Sequence, residues 1–125
     1  MEKIKQTIRE VLFDARISKA YKGYPYLEHA IYLVIEDERR LCHIFNEVYA
    51  KVGEYYGTTA SAVEKNLRTI RDVFWQSNCC DFFKERSGVI LHDRPYLREL
   101  IELFADEVEK ELGLRRWRKY RYIEN

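Results

Sequence analysis

A group of polar and charged side chains follows Gly57, on a helix that we expect over about 59–76. At about 100° per residue, one side of this helix carries Ser61, Lys65, Arg68 and Asp72, flanked by Glu64 and Thr69. Lysine and arginine can donate to the acceptors of guanine, and a carboxylate can accept from the cytosine amino group. The face could therefore read base edges in a DNA groove. The plainer interpretation is a solvated helix surface of mixed charge.

The residues around Gly57 have the pattern of a helix-turn-helix. This motif needs a tight turn, where glycine is favoured, and a cap on its second helix. Gly57 supplies the turn, and Thr59 is the expected N-cap. Ser61 is an alternative cap, because Glu64 three residues later would complete a capping box. Both alternatives leave the faces of the second helix unchanged.

Residues that could carry catalysis or bind a metal are few and poorly spaced. Cys42 and His43 are neighbours, and adjacent residues on a helix point about 100° apart, so they form no nucleophile–base pair. His29 and His92 have no partner at ligand spacing, and Cys79–Cys80 lacks the spacing of a zinc site. No glycine-rich phosphate loop is present. We expect no enzyme, no metal, no cofactor and no small-molecule substrate.

The elements that position the polar face are expected to be helices throughout. Apolar residues repeat at helical spacing along the chain, and no segment shows the alternation of a strand. Breaks are marked by Lys22–Pro25, Glu36–Glu38, Gly57, Asn78 and Gly88. Arg94–Pro95 is expected to start the last long helix. The fold class is therefore all-α: a compact bundle of about six helices over 1–113, followed by a tail over 114–125.

The stretch before Gly57 is expected to be one helix with a single buried stripe. Its apolar residues at helical spacing are Leu41, Ile44, Phe45, Val48, Val52 and Tyr55. The helix after Gly57 carries a second stripe, made of Val63, Leu67, Ile70 and Phe74. We expect Val63 to pack back against the preceding helix.

Charge is unevenly distributed although the net charge is only +1. Residues 110–125 contain six basic and two acidic residues, a net of +4, so residues 1–109 carry −3. Any DNA contact by the body must then come from a local patch. The tail side chains that could hold phosphates are Arg115, Arg116, Arg118 and Lys119, interleaved with aromatic residues. The alternative is a tail whose aromatic rings pack on the body.

Nothing in the sequence indicates a membrane or an oxidising compartment. No apolar run approaches the roughly 20 residues that cross a bilayer, and the N-terminus lacks a signal peptide's apolar segment. The three cysteines are an odd number and two of them are adjacent, which favours reduced thiols. We expect a cytoplasmic protein.

Three stretches, Lys22–Ile31, Val48–Tyr49 and Thr58–Trp75, carry a more specific pattern, with Thr-Thr-Ala-Ser-x-Val-Glu as its core. From about Ile17 to Lys110 the chain resembles the C-terminal effector domain of the stage-zero sporulation response regulator of spore-forming bacteria. The resemblance implies about six helices and a transcription regulator. It also implies binding of a short double-stranded DNA box through the helix that starts near Thr59, and head-to-tail homodimers on tandem boxes.

The resemblance implies roles for individual positions. Glu64 and Arg68 match the family's DNA-contacting glutamate and arginine. Ala62 stands where the family has a base-reading arginine, so this chain cannot make that interaction with a base. Lys65 replaces another arginine, whose bidentate fork a lysine cannot reproduce. Ala50 stands where the family usually has a proline, which would let the preceding helix continue.

Sequence-specific DNA binding is therefore the expected function. Arg68 and Lys65 are expected on guanine edges or phosphates, and Glu64 is expected to read a cytosine or to orient the arginine. The expected interface residues are Thr59, Ser61, Ala62, Glu64, Lys65, Arg68 and Thr69. We expect no receiver domain in these 125 residues, which hold only the effector part. Either the protein is not regulated by phosphorylation, or the chain is a fragment. The alternative is a receiver-less interaction module that pairs with or modulates a related regulator. Ten tyrosines and six phenylalanines favour that alternative, because exposed tyrosine is enriched at interfaces.

Overall fold

The computed structural model describes residues 2–114, and this part of the chain is helical with no strand. Its α-helices are α1 (Glu2–Asp14), α2 (Tyr24–Glu36), α3 (Ala50–Tyr56), α4 (Ala60–Ser77), α5 (Cys79–Ser87) and α6 (Leu97–Leu112). A 3₁₀ helix (Glu38–His43) and a π-helical turn (Phe45–Tyr49) connect α2 to α3. The predicted all-α class is confirmed.

The core forms around α2, which packs against α1, α4 and α6. The buried stripe predicted for α4 is confirmed, since Val63, Leu67, Ile70 and Phe74 are at most 3% exposed. The ring of Phe74 stacks on that of Phe104 from α6, with centroids 5.5 Å apart. The inner side of α4 is thus fixed by packing, and its opposite side faces outward.

The stretch before Gly57 is helical but departs from the predicted single stripe. Val48 and Val52 are buried as predicted, whereas Phe45 is 47% and Tyr55 70% exposed. The reason is the π-helical turn, in which the N–H of Ala50 donates to the carbonyl of Phe45, five residues earlier. A π turn shifts the helical phase, so Tyr49 is buried beside Val48. Proline at position 50 could not form this bond because it has no N–H.

The last helix begins later than predicted. Arg94–Pro95 lies in the preceding loop, and α6 starts at Leu97 with Tyr96 as its N-cap. The carboxylate of Glu99 accepts a hydrogen bond from the Tyr96 N–H at 2.8 Å, which satisfies one of the free amides of the first turn. Proline does favour a helix start, but the Glu99 cap fixes the boundary here.

A set of ion pairs joins α1, α5 and α6. Arg86 on α5 contacts Asp14 at 2.8 Å, Glu107 at 3.2 Å and Glu111 at 2.8 Å. Glu107 is only 2% exposed, and its carboxylate also accepts from the Ser87 hydroxyl. A buried carboxylate is tolerated when it is paired and hydrogen-bonded in this way. Within residues 2–114, no helix is both long and apolar enough to cross a membrane.

Candidate nucleic-acid interface

The turn between α3 and α4 has the geometry predicted for a helix-turn-helix. Gly57 ends α3 in the left-handed conformation, with φ 72° and ψ 35°, which glycine adopts without a steric penalty. The N–H groups of Gly57 and Thr58 both donate to the carbonyl of Gly53, the latter at 2.8 Å. The carbonyl groups at the end of α3 are therefore satisfied within the turn itself.

Thr59 is the N-cap of α4, as predicted. Its hydroxyl oxygen accepts a hydrogen bond from the Ala62 N–H at 3.0 Å. The alternative cap, Ser61, is wrong, because Ser61 lies inside the first turn of α4 with an exposed side chain. With Ala62 capped, the N–H groups of Ala60 and Ser61 have no acceptor within their own helix. The N-terminus of α4, with its partial positive charge, therefore lies beside the hydroxyl groups of Thr59 and Ser61.

Two glycines that sequence reasoning did not assign to the site set the position of α4. A β-carbon on Gly23, just before α2, would lie 2.8 Å from the carbonyl oxygen of Asn66. Gly53 is similarly close to the residues of the turn. On α4 itself, the Asn66 side chain donates to the Ala62 carbonyl at 2.8 Å. A glycine inside a helix, unfavourable by propensity, was the signal that could have indicated Gly53.

The outer face of α4 carries the predicted DNA-binding residues. Ser61, Lys65, Arg68 and Thr69 are exposed, and Ala62 and Glu64 are partly buried. The Thr69 hydroxyl donates to the Lys65 carbonyl at 3.2 Å, so its own proton is already engaged. Within the described residues, no ion pair involves Lys65 or Arg68. Both cationic side chains are therefore available to an external partner.

Asp72 belongs to the same face in sequence, but it is engaged by arginines. Its carboxylate contacts Arg71 at 3.1 Å and Arg94, in the loop before α6, at 3.0 Å. Asp72 therefore marks the C-terminal limit of the outer face of α4, and Arg94 lies next to that limit. Sequence reasoning missed Arg94 as a site residue, because the contact spans 22 residues.

Charged side chains of α4 and α6 affect the pKa of the buried Tyr49. Burial raises the pKa of Tyr49 to about 12 and Glu64 reinforces the rise, while the positive charges of Arg71, Arg68 and Arg98 oppose it. Arg98, on the first turn of α6, has an exposed side chain and acts on Tyr49 with the same sign as the two arginines of α4.

The remaining candidate groups lie elsewhere or carry no evident chemistry. Burial raises the pKa of the Cys79 thiol to about 12, so this thiol is protonated at neutral pH and is a poor nucleophile. Among residues 2–114, no three His, Cys, Asp or Glu side chains are grouped as metal ligands. The tail residues Arg115, Arg116, Arg118 and Lys119 lie outside the described residues.

Comparison with known families gives one match that covers most of the chain. The family model described as "Sporulation initiation factor Spo0A C terminal" matches residues 8–108. The matched range includes α2, α3, the turn at Gly57 and all of α4.

Proposed function

The chain belongs to the Spo0A C-terminal family, the DNA-binding effector domains of sporulation regulators, and we propose from this premise that it is a sequence-specific transcription regulator. The main support for this proposal is the way α4 begins and the side chains that it exposes. This helix is capped by Thr59 and follows the left-handed Gly57, and the cations Lys65 and Arg68 on its outer face are exposed. A free helix with these properties fits the major groove of double-stranded DNA. DNA as the partner also supports a cytoplasmic location.

In the proposed complex, base edges are read by the first two and a half turns of α4. Arg68 donates to guanine acceptors, and Lys65 contacts a guanine or a neighbouring phosphate. Glu64 accepts from a cytosine amino group or orients Arg68. Glu64 and Arg68 are four residues apart on α4, so their side chains lie on neighbouring positions of one helix face and can act together.

Phosphate contacts are proposed at both ends of this face. At its start, the N–H groups of Ala60 and Ser61 and the hydroxyls of Thr59 and Ser61 can hold one phosphate, because a helix N-terminus favours an anion. Farther along, Arg94 pairs with Asp72 at the border of the face and can reach the flanking backbone. Such contacts fix the register of the protein and carry no base sequence by themselves.

The preferred DNA sequence is proposed to differ from that of relatives with arginines on this helix. Ala62 has no group that can donate to a base, although its position near the start of α4 suits base contact. Lys65 provides a single ammonium in place of a planar fork. We expect fewer specified positions in the bound box, with Arg68 and Glu64 supplying most of the discrimination.

Two further parts of the proposal concern the C-terminal tail and the way two copies of the chain bind DNA together. Arg115, Arg116, Arg118 and Lys119 are proposed to contact phosphates without reading sequence, which the +4 charge of residues 110–125 supports. Head-to-tail homodimers on tandem boxes are proposed from the family resemblance.

An unbiased selection of DNA bound by the full chain tests this function. We expect an enriched box, repeated at a fixed spacing if the chain binds as head-to-tail dimers. Gel shifts on that box should disappear with the double variant Lys65→Gln/Arg68→Gln and persist with Lys19→Gln, since Lys19 is exposed outside the motif. Selection of no sequence, and no shift at low salt, would overturn the proposal in favour of the interaction module.

A further inference from the structure

A cavity of about 250 Å³ lies where α1, α2 and the last turn of α3 meet. The lining side chains that could recognise a ligand are Lys5, His29, Tyr32, Tyr55 and Tyr56. None of them belongs to the outer face of α4. Ligand sites are typically concave, largely apolar and supplied with a few polar groups that fix orientation. This cavity has that composition, and its volume lies just below the roughly 300–1,000 Å³ that is typical of such sites.

Aromatic rings form one wall of the cavity. The His29 and Tyr55 rings meet edge to face, with centroids 4.7 Å apart and planes at 82°. Tyr55 and Tyr56 meet at 4.9 Å and 71°. Edge-to-face contact is one of the geometries that aromatic pairs prefer. Tyr55 makes these contacts although it is 70% exposed, so ring surface remains available to a planar molecule.

The charge around the cavity favours an anion. Glu28 is neutralised by Arg9 at 3.0 Å, and Glu36, on the same helix, by Arg40 at 3.0 Å. The ammonium of Lys5 lies 5.7 Å from the centre of the Tyr32 ring and forms no ion pair within the described residues. Burial lowers the pKa of His29, and Lys5 lowers it further, so His29 is neutral at neutral pH. The uncompensated charge at the cavity is therefore the positive charge of Lys5.

We propose that this cavity binds a small aromatic carboxylate. The planar ring system lies against Tyr55 and Tyr56, and the carboxylate accepts a hydrogen bond from the ammonium of Lys5, which lies over the Tyr32 ring. The volume fits one or two fused rings with a short acidic side chain. Since Tyr55 and Tyr56 immediately precede Gly57, the ligand contacts the last turn of the helix that leads into the helix-turn-helix.

The test uses indole-3-acetate as the probe and indole-3-acetamide as the uncharged probe of the same shape. Both are titrated into the ¹⁵N-labelled full chain, and amide shifts are followed by NMR. We expect saturable shifts confined to Lys5, His29 and the end of α3, with a dissociation constant for the acetate of roughly millimolar or tighter. The acetamide should bind about ten-fold more weakly, because it lacks a charge-assisted hydrogen bond.

Variants then distinguish the contribution of the Lys5 ammonium from that of the aromatic rings. Lys5→Gln should weaken the acetate to the level of the acetamide and leave the acetamide unchanged, whereas Tyr56→Leu should weaken both probes. Lys3→Gln is the matched control, because Lys3 is exposed on the same helix outside the cavity. Dispersed spectra verify that each variant is folded. Non-saturable shifts, shifts on another surface, or a Lys5→Gln variant that binds the acetate like the parent would overturn the proposal. No DNA is required, so the result stands apart from the proposed function.

Discussion

A β-carbon on Gly53 would lie 2.7 Å from the carbonyl oxygen of Thr58. The carbonyl carbon and oxygen of Thr59 follow at 3.1 and 3.2 Å. The last part of α3 thus packs directly on the two residues that lead into α4. Glycine in a helix interior normally costs about 0.5–1 kcal/mol relative to alanine. Here the missing side chain is what permits α3 to pack closely against the turn.

Replacing Gly53 with valine should separate α3 from the turn. We expect Gly53→Val to lower the free energy of unfolding by about 1–3 kcal/mol, because the extra atoms overpack a backbone contact. The measurement is urea unfolding followed by circular dichroism. Lys51→Val is the matched control: it introduces the same β-branched residue at an exposed position of α3. Equal stability of the two variants would contradict the close contact.

Arg68 should contribute most of the base discrimination. We expect Arg68→Ala to weaken specific DNA binding by about 1–3 kcal/mol and to relax sequence preference at one position of the box. Fluorescence anisotropy on the selected box and on single-base variants measures both effects. A loss below roughly 0.5 kcal/mol in a folded variant would count against this role for Arg68.

Ala62 offers a gain-of-function test of the docking mode. We expect Ala62→Arg to raise affinity for DNA boxes of the family type, because an arginine near the start of α4 can donate to a guanine in the major groove. Competition binding against the parent's own selected box measures the change in preference. Ala62→Gln, which adds length without charge, is the control. No gain for the arginine variant would mean that α4 docks in a different orientation.

The tail, residues 114–125, should increase the salt dependence of DNA binding. Removing residues 114–125 is expected to flatten the slope of log affinity against log salt by about 0.9 for each phosphate that the tail neutralises. Glutamine at Arg115, Arg116, Arg118 and Lys119 separates charge from chain length and should flatten it equally. An unchanged slope would remove the tail from the mechanism. Reduced stability on truncation with an unchanged slope would instead favour packing of its aromatic rings on the body.

The turn could be predicted from sequence because its determinants are local. Gly57 is required where φ is positive, Thr59 caps the helix that follows it, and Val63 continues a regular apolar repeat. Each of these signals lies within a few residues of the feature it predicts. The inner and outer faces of α4 follow from them, because the helical period fixes which residues point together.

Other parts of the fold and site depend on information that periodicity does not contain. The π-helical turn at Phe45–Tyr49 shifts the helical phase, so extrapolating the apolar repeat placed Phe45 and Tyr55 on the wrong side. The ion pair between Asp72 and Arg94 joins residues far apart in sequence. The residues near each of these two features contain no pattern from which the feature could be predicted.

The imidazole of His29 should make stability depend on pH. Its ordinary pKa is 6.5, and burial lowers the pKa in the folded protein, with Lys5 adding to the effect. The unfolded chain therefore binds a proton more readily than the folded chain does. The free energy of unfolding should fall as pH falls through 6.5, and the loss is complete only below the folded pKa. Above about pH 7.5, where His29 is neutral in both states, it should contribute no pH dependence.

Unfolding by urea between pH 8 and pH 5 measures this slope. We expect His29→Gln to reduce the decline towards acid pH, whereas His92→Gln, at an exposed position, should keep it. Asp37 does not interfere, since its hydrogen bonds with Arg39 lower its pKa from 3.8 to about 2, and its stabilising effect is lost only as pH falls through that lower range. If His29→Gln declined as steeply as the parent between pH 8 and pH 5, the acid sensitivity would have to arise from other groups, and the imidazole would not be held neutral by its burial against Tyr55 and Tyr56.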